Sequence, residues 1–196
     1  VDSRIEPMTP HRRSTRHLLA AAAFVVFALG APSAAQGEAW PEFRGPTGQG
    51  HSSATALPVE WSPTKNVAWK QTIPGSGWSS PVVSRGRIYL TTSVSGPGAA
   101  PSLRTVCLET ANGRVRWETE VFAPGETRNQ PIHGKNTEAS PTPIIDADRL
   151  YVHFGHHGTA CLDVDGRILW RSQRVDYDPV HGNGGSPALT ARQAAA

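Results

Sequence analysis

From residue 79 onward, apolar and polar side chains alternate in short stretches. In 114–121, Val115, Trp117, Thr119 and Val121 fall on one face, with Arg114, Arg116, Glu118 and Glu120 on the other. That period of two marks a half-buried strand. The same reading predicts strands at 79–84, 87–94, 104–110 and 114–121, then at 140–145, 149–154, 159–163 and 167–174. Asn112-Gly113 and Asp165-Gly166 separate the last two strands of each set. They are strong hairpin signals, because tight two-residue turns need positive φ. Helical spacing is absent after residue 37. The 17 prolines and 19 glycines fit many short strands joined by turns.

The two sets of strands are copies of one module. Ser79-Ser80-Pro81-Val82-Val83 recurs as Ala139-Ser140-Pro141-Thr142-Pro143 and again as Gly185-Ser186-Pro187-Ala188-Leu189. Arg87-Ile88-Tyr89-Leu90 matches Arg149-Leu150-Tyr151-Val152, and Thr105-Val106-Cys107-Leu108-Glu109 matches Thr159-Ala160-Cys161-Leu162-Asp163. Asn112-Gly113-Arg114-Val115-Arg116-Trp117 matches Asp165-Gly166-Arg167-Ile168-Leu169-Trp170. Four antiparallel strands repeated at this spacing describe blades of a β-propeller. The expected fold is therefore all-β: a partial propeller of about two four-stranded blades, 79–121 and 140–175, joined by a loop at 122–139. A third blade is expected to start in 176–196 and to stop inside an inner strand.

One tryptophan per module has a mechanical reading. Trp117 and Trp170 lie on the outer strand, where an indole can wedge against the next blade. Asn66-Val67-Ala68-Trp69-Lys70-Gln71 reads as a displaced outer strand following a leading segment, together spanning 38–78. Its Trp69 is expected to belong to the last blade of a closed ring. Cys107 and Cys161 hold equivalent third-strand positions in adjacent blades. Packed sheets lie about 10 Å apart, beyond the reach of a disulfide, so both are expected to be free, buried thiols.

Charge changes the picture little. The net charge is +3, with Arg4, Arg12, Arg13 and Arg16 crowded near the start. No Lys/Arg run follows, so a nucleic-acid partner is not expected. Residues 8–37 read as a secretory signal peptide: a basic stretch at 11–16, an apolar run from Leu18 to Leu29, and small residues Ser33-Ala34-Ala35 for cleavage. The apolar run is shorter than the ~20 residues of a bilayer span. Residues 1–37 are thus assigned to the signal and the residues upstream of it. The mature protein is expected in the periplasm or outside the cell, with no membrane span.

Trp40-Pro41-Glu42-Phe43-Arg44-Gly45-Pro46-Thr47-Gly48-Gln49-Gly50 resembles the leading segment of exported PQQ-like β-propeller proteins of planctomycete-type bacteria. Cys161-Leu162-Asp163-Val164-Asp165-Gly166-Arg167-Ile168-Leu169-Trp170 is similar to that family's strand–turn–strand signature. The resemblance implies seven or eight blades and a monomeric full-length ring. It also implies three functions. One is an envelope scaffold that binds a ligand or a partner protein. Another is a PQQ-dependent dehydrogenase holding quinone and calcium, whose familiar vicinal Cys-Cys pair has no counterpart here. The last is a propeller like the outer-membrane protein assembly factor.

Candidate chemistry gathers in the loops expected at one face. His133-Gly134-Lys135-Asn136 precedes the second module, and His181-Gly182-Asn183 precedes the third. His133, Lys135, Asn136, His181 and Asn183 form the candidate binding site, suited to an anionic or carbonyl ligand or a metal; the competing reading is that they only satisfy their own turns. His156-His157 lies in a hairpin without chelating spacing. Glu138, Asp176 and Asp178 are acids within reach of this face, and no residue is assigned a catalytic role. Gly75-Ser76-Gly77-Trp78-Ser79 leads into a strand, which excludes a nucleophile elbow. The scaffold reading is preferred over the oxidoreductase.

Overall fold

The computed structural model describes residues 38–175 and 177–190. The signal-peptide reading of 8–37, Asp176 and the chain beyond Thr190 lie outside these residues. Eight strands form two four-stranded antiparallel meanders. The first is β1 (Val82–Ser84), β2 (Arg87–Val94), β3 (Ser102–Glu109) and β4 (Val115–Phe122). The second is β5 (Ile144–Asp146), β6 (Arg149–His153), β7 (Thr159–Asp163) and β8 (Ile168–Ser172). Among the described residues there is no α-helix, only 3₁₀ turns at Pro124–Glu126 and Gly155–His157.

The inner strands begin later than their apolar patterns predict. Proline at 81, 141 and 143 has no N–H for a ladder, and the N–H groups of Trp78 and Ser79 both donate to Ala139 O, at 3.2 and 3.1 Å. These residues link the two sheets instead of extending β1. Residues 66–71 likewise form no strand, because no ladder partner flanks them among the described residues.

The modules superimpose in register. Val82, Tyr89, Cys107 and Trp117 lie in one cross-strand row of the first sheet. Ile144, Tyr151, Cys161 and Trp170 form the same row in the second. Each row ends at a register shift just after its cysteine. One core joins Tyr89, Cys107 and Val121 of the first sheet to Ile145, Leu150, Ala160 and Leu162 of the second. Leu150 and Leu162 point opposite to Tyr151 and Cys161, so the two cysteines face different sides of the second sheet. Both are free and buried. Burial pushes the Cys107 thiol up to about 11.

Trp117 docks as its position implies. Its Nε1 donates to Val164 O at 3.1 Å, and Thr119 Oγ1 donates to Gly166 O at 2.7 Å. The indole lies so close to the β7–β8 turn that a Cβ on Gly166 would stand 2.7 Å from Trp117 Cδ2. Trp69 makes the same contact one module earlier. Its Nε1 donates to Thr110 O at 2.9 Å, and a Cβ on Gly113 would stand 2.2 Å from Trp69 Cε3. Thr110 and Val164 are equivalent residues, each following the acidic end of the third strand. Trp69 therefore occupies the position of an outer-strand tryptophan from the blade before β1.

The leading segment lies across the inner edges of both sheets. Trp40 and Val83 exchange N–H···O bonds of 2.8 Å each way, and Ile145 N donates to Pro41 O at 2.9 Å. Two adjacent propeller blades, bridged by this segment along their inner edges, carry the loops described next.

Candidate functional site

The loop from β4 to β5 and the chain after β8 meet beyond the start of the second sheet. His133 to Asn136 form a tight turn, closed by Asn136 N donating to His133 O at 2.8 Å. Inside it, Lys135 N donates to His133 Nδ1 at 3.2 Å. A ring nitrogen that accepts cannot carry the proton, so neutral His133 keeps its N–H on Nε2. Asn136 Nδ2 donates to His181 O at 3.1 Å, tying the turn to the next module. The His133 and His181 rings then meet edge to face, with centroids 5.5 Å apart and planes at 88°. Gly182 sits at φ +85°, and a Cβ there would stand 3.0 Å from Asn136 Nδ2. The glycine thus permits both the turn and the close approach.

Four of the five sequence-derived site residues come together. His133, Lys135, Asn136 and His181 line a pocket of about 300 Å³. Asn183 does not line it. Its amide is buried, accepting from Tyr177 Oη and lying 3.3 Å from His156 Nδ1. A Cβ on Gly155 would meet that amide at 1.7 Å. Asn183 therefore fastens the chain after β8 to the Gly155–His157 turn. The Asn-Gly spacing alone did not distinguish a lining amide from a fastening one.

A second pocket of about 570 Å³ adjoins the first and shares Lys135 and Asn136 with it. Phe43 and Trp78 supply its aromatic walls; Ser140, Thr142 and Ser186 supply hydroxyls. Sequence reasoning missed this pocket. The available signal was that Phe43 and Trp78 are large aromatics outside the repeating strand positions.

The His156 and His157 rings lie 3.9 Å apart between centroids, tilted at 42°, and both residues are buried. Burial, with help from His156 and Arg128, pushes His157 down to about 4. Gln173 Nε2 donates to His157 O at 2.9 Å and to Glu126 O at 3.0 Å, and Arg171 pairs with Glu126 at 2.9 Å. This cluster ties the rims of the two blades together. His153 is half-buried, with Nδ1 2.8 Å from Thr159 Oγ1, and burial lowers its pKa.

A calcium-held quinone needs a cage of six or more oxygen ligands for its metal. Among the described residues, no three His, Cys, Asp or Glu side chains come close enough together to hold a metal. Trp40 and Pro41 already occupy ladder positions along the inner strands. Among the described residues no acidic cluster marks a place for that metal, and no step is derived through the group. Among them there is also no helix long and apolar enough to cross a membrane.

No curated protein matches the chain. Comparison with protein families matches residues 98–196, from the middle of the β2–β3 loop onward, to the PQQ-like repeat family described as outer membrane protein assembly factor BamB. With this match over half its length and two consecutive four-stranded blades, the chain belongs to the PQQ-like repeat family of β-propellers.

Proposed function

We propose that this protein is an exported envelope scaffold whose loop face binds an anionic group, such as a carboxylate, of a ligand or partner chain. The observation that carries this reading is the pocket of His133, Lys135, Asn136 and His181, assembled from loops of successive modules. Its donors are an ammonium, an imidazole Nε2–H and a second imidazole. No aspartate or glutamate is among the residues lining it. Such a set attracts and orients an anion, and with no carboxylate in the lining nothing there repels one. Export is supported by the basic, apolar and small-residue pattern of 8–37.

Titrating the full chain with succinate, while following the histidine ring resonances, tests the site. Saturable shifts at His133 and His181, abolished by Lys135→Gln, are expected. Shifts that never saturate, or that survive the substitution, would exclude it. The matched family's description favours a second reading, attachment to an outer-membrane assembly complex. That version predicts co-purification with an envelope complex and loss of the interaction on substituting these loops.

A further inference from the structure

Building on the anion-binding reading above, we propose that the adjoining pocket takes the ring of an acidic sugar, a hexuronate within a glycan, with its carboxylate directed to Lys135. The second pocket has an unusual wall. Its apolar side chains are the two aromatic rings of Phe43 and Trp78, with no aliphatic side chain beside them. Pockets for wholly apolar ligands are lined mainly by hydrophobic side chains. Here the remainder is hydroxyl, amide, ammonium and glycine backbone. A pyranose matches that division, because one face presents C–H groups to an aromatic ring while its edge presents hydroxyls.

Two hydroxyls of the lining keep a donor free, whereas Ser140 Oγ already donates to Thr137 O at 2.9 Å and Asn136 Nδ2 to His181 O at 3.1 Å. Ser80 N donates to Thr142 Oγ1 at 3.0 Å, and Thr142 N donates to Ser186 Oγ at 3.0 Å. Each hydroxyl accepts a backbone N–H and retains its own O–H for a ligand oxygen. Gly184 and Gly185 have no atom within 4 Å of where a Cβ would stand, so a ligand can approach their backbone closely. Trp78 is 65% exposed, yet its backbone is pinned by the bond from its N–H to Ala139 O. The indole is therefore displayed on a fixed support.

Charge selects the acid. Lys135 lines both pockets, His133 and His181 stand beyond it, and neither lining contains a carboxylate among the described residues. A ring on Trp78 with its carboxylate at Lys135 would span the shared boundary. A neutral sugar would lose the charge term, and an aromatic acid would leave the hydroxyl donors unsatisfied.

The test is calorimetric and NMR titration of the full chain with digalacturonate, neutral digalactose and 2-naphthoate. Digalacturonate should bind saturably and more tightly than the other two. Trp78→Ala should weaken it roughly tenfold, equivalent to about 1.4 kcal/mol. Lys135→Gln should bring its affinity down to that of digalactose while leaving digalactose unchanged. Both side chains are exposed, and unchanged circular dichroism of the variants confirms folding. No saturable uronide binding, stronger binding of naphthoate, or binding indifferent to Trp78→Ala would each overturn the proposal. If succinate still shifts His133 and His181 while the uronide fails, the sugar assignment falls and the anion site stands. If both fail, the anion site falls as well.

Discussion

Trp117 and Trp170 occupy the same row of consecutive sheets, yet they meet different surroundings. Within its own sheet each lies beside an equivalent tyrosine. Tyr89 and Trp117 have ring centroids 5.9 Å apart; Tyr151 and Trp170 have them 6.3 Å apart. Trp117 also lies under the turn of the second sheet and hydrogen-bonds to it, whereas Trp170 is 45% exposed. The contrast shows that the tryptophan is covered by its neighbour and not by its own blade. The hairpins differ too. The β2–β3 connection of the first sheet is a largely exposed Gly-Pro loop, while the second sheet packs two buried histidines there.

The sharpest way to break this comparison is to truncate both tryptophans. Trp117→Ala should cost roughly 3–5 kcal/mol in urea unfolding, against about 1 kcal/mol or less for exposed Trp170→Ala. Equal losses would contradict inter-blade docking. The second effect comes from the histidine hairpin. His157 titrates near 6.5 when unfolded and near 4 when folded. The unfolded chain therefore binds more protons between those values, and stability falls as pH drops from about 6.5 to 4. For one site the loss is at most roughly 3 kcal/mol. Unfolding midpoints across this range should flatten in His157→Phe.

Next comes the glycine beneath the indole. Gly166→Ala places a methyl against Trp117 at φ +89° and should cost roughly 1–3 kcal/mol. Gly184→Ala, in open space, should cost nothing measurable. The smallest effect belongs to Arg85 and Asp148, an exposed ion pair between corresponding turns of the two sheets. Asp148→Asn should change stability by about 1 kcal/mol or less, and less still in high salt.

Much of the fold is legible because the repeat encodes it locally. Gly113 and Gly166 take the positive φ that Asn112-Gly113 and Asp165-Gly166 announce, though in turns longer than the two residues expected, and the tryptophan after each marks the outer strand. The free, buried cysteines follow from equivalent positions in separate sheets. What escaped depends on contacts between distant segments. Trp40 bridging Val83 and Pro41 capping Ile145 leave no periodic trace, since single ladder bonds need no apolar pattern. The late start of β1 and β5 reflects prolines that break a ladder while leaving apolar alternation intact. Of the site, the His133 and His181 turns announce polar loops, but it takes tertiary contacts, Asn136 to His181 O and ring against ring, to join them. Asn183 reads like a lining residue and instead fastens a loop, because Gly155 leaves room for its amide.

The docking claim is tested most directly by nuclear Overhauser contacts between the Trp117 indole and the Gly166 Hα protons. Strong contacts, with both Hα resonances shifted upfield by the ring and a matching pair between Trp69 and Gly113, are predicted. An unshifted Gly166 with no contact to Trp117 would contradict the arrangement of the two blades.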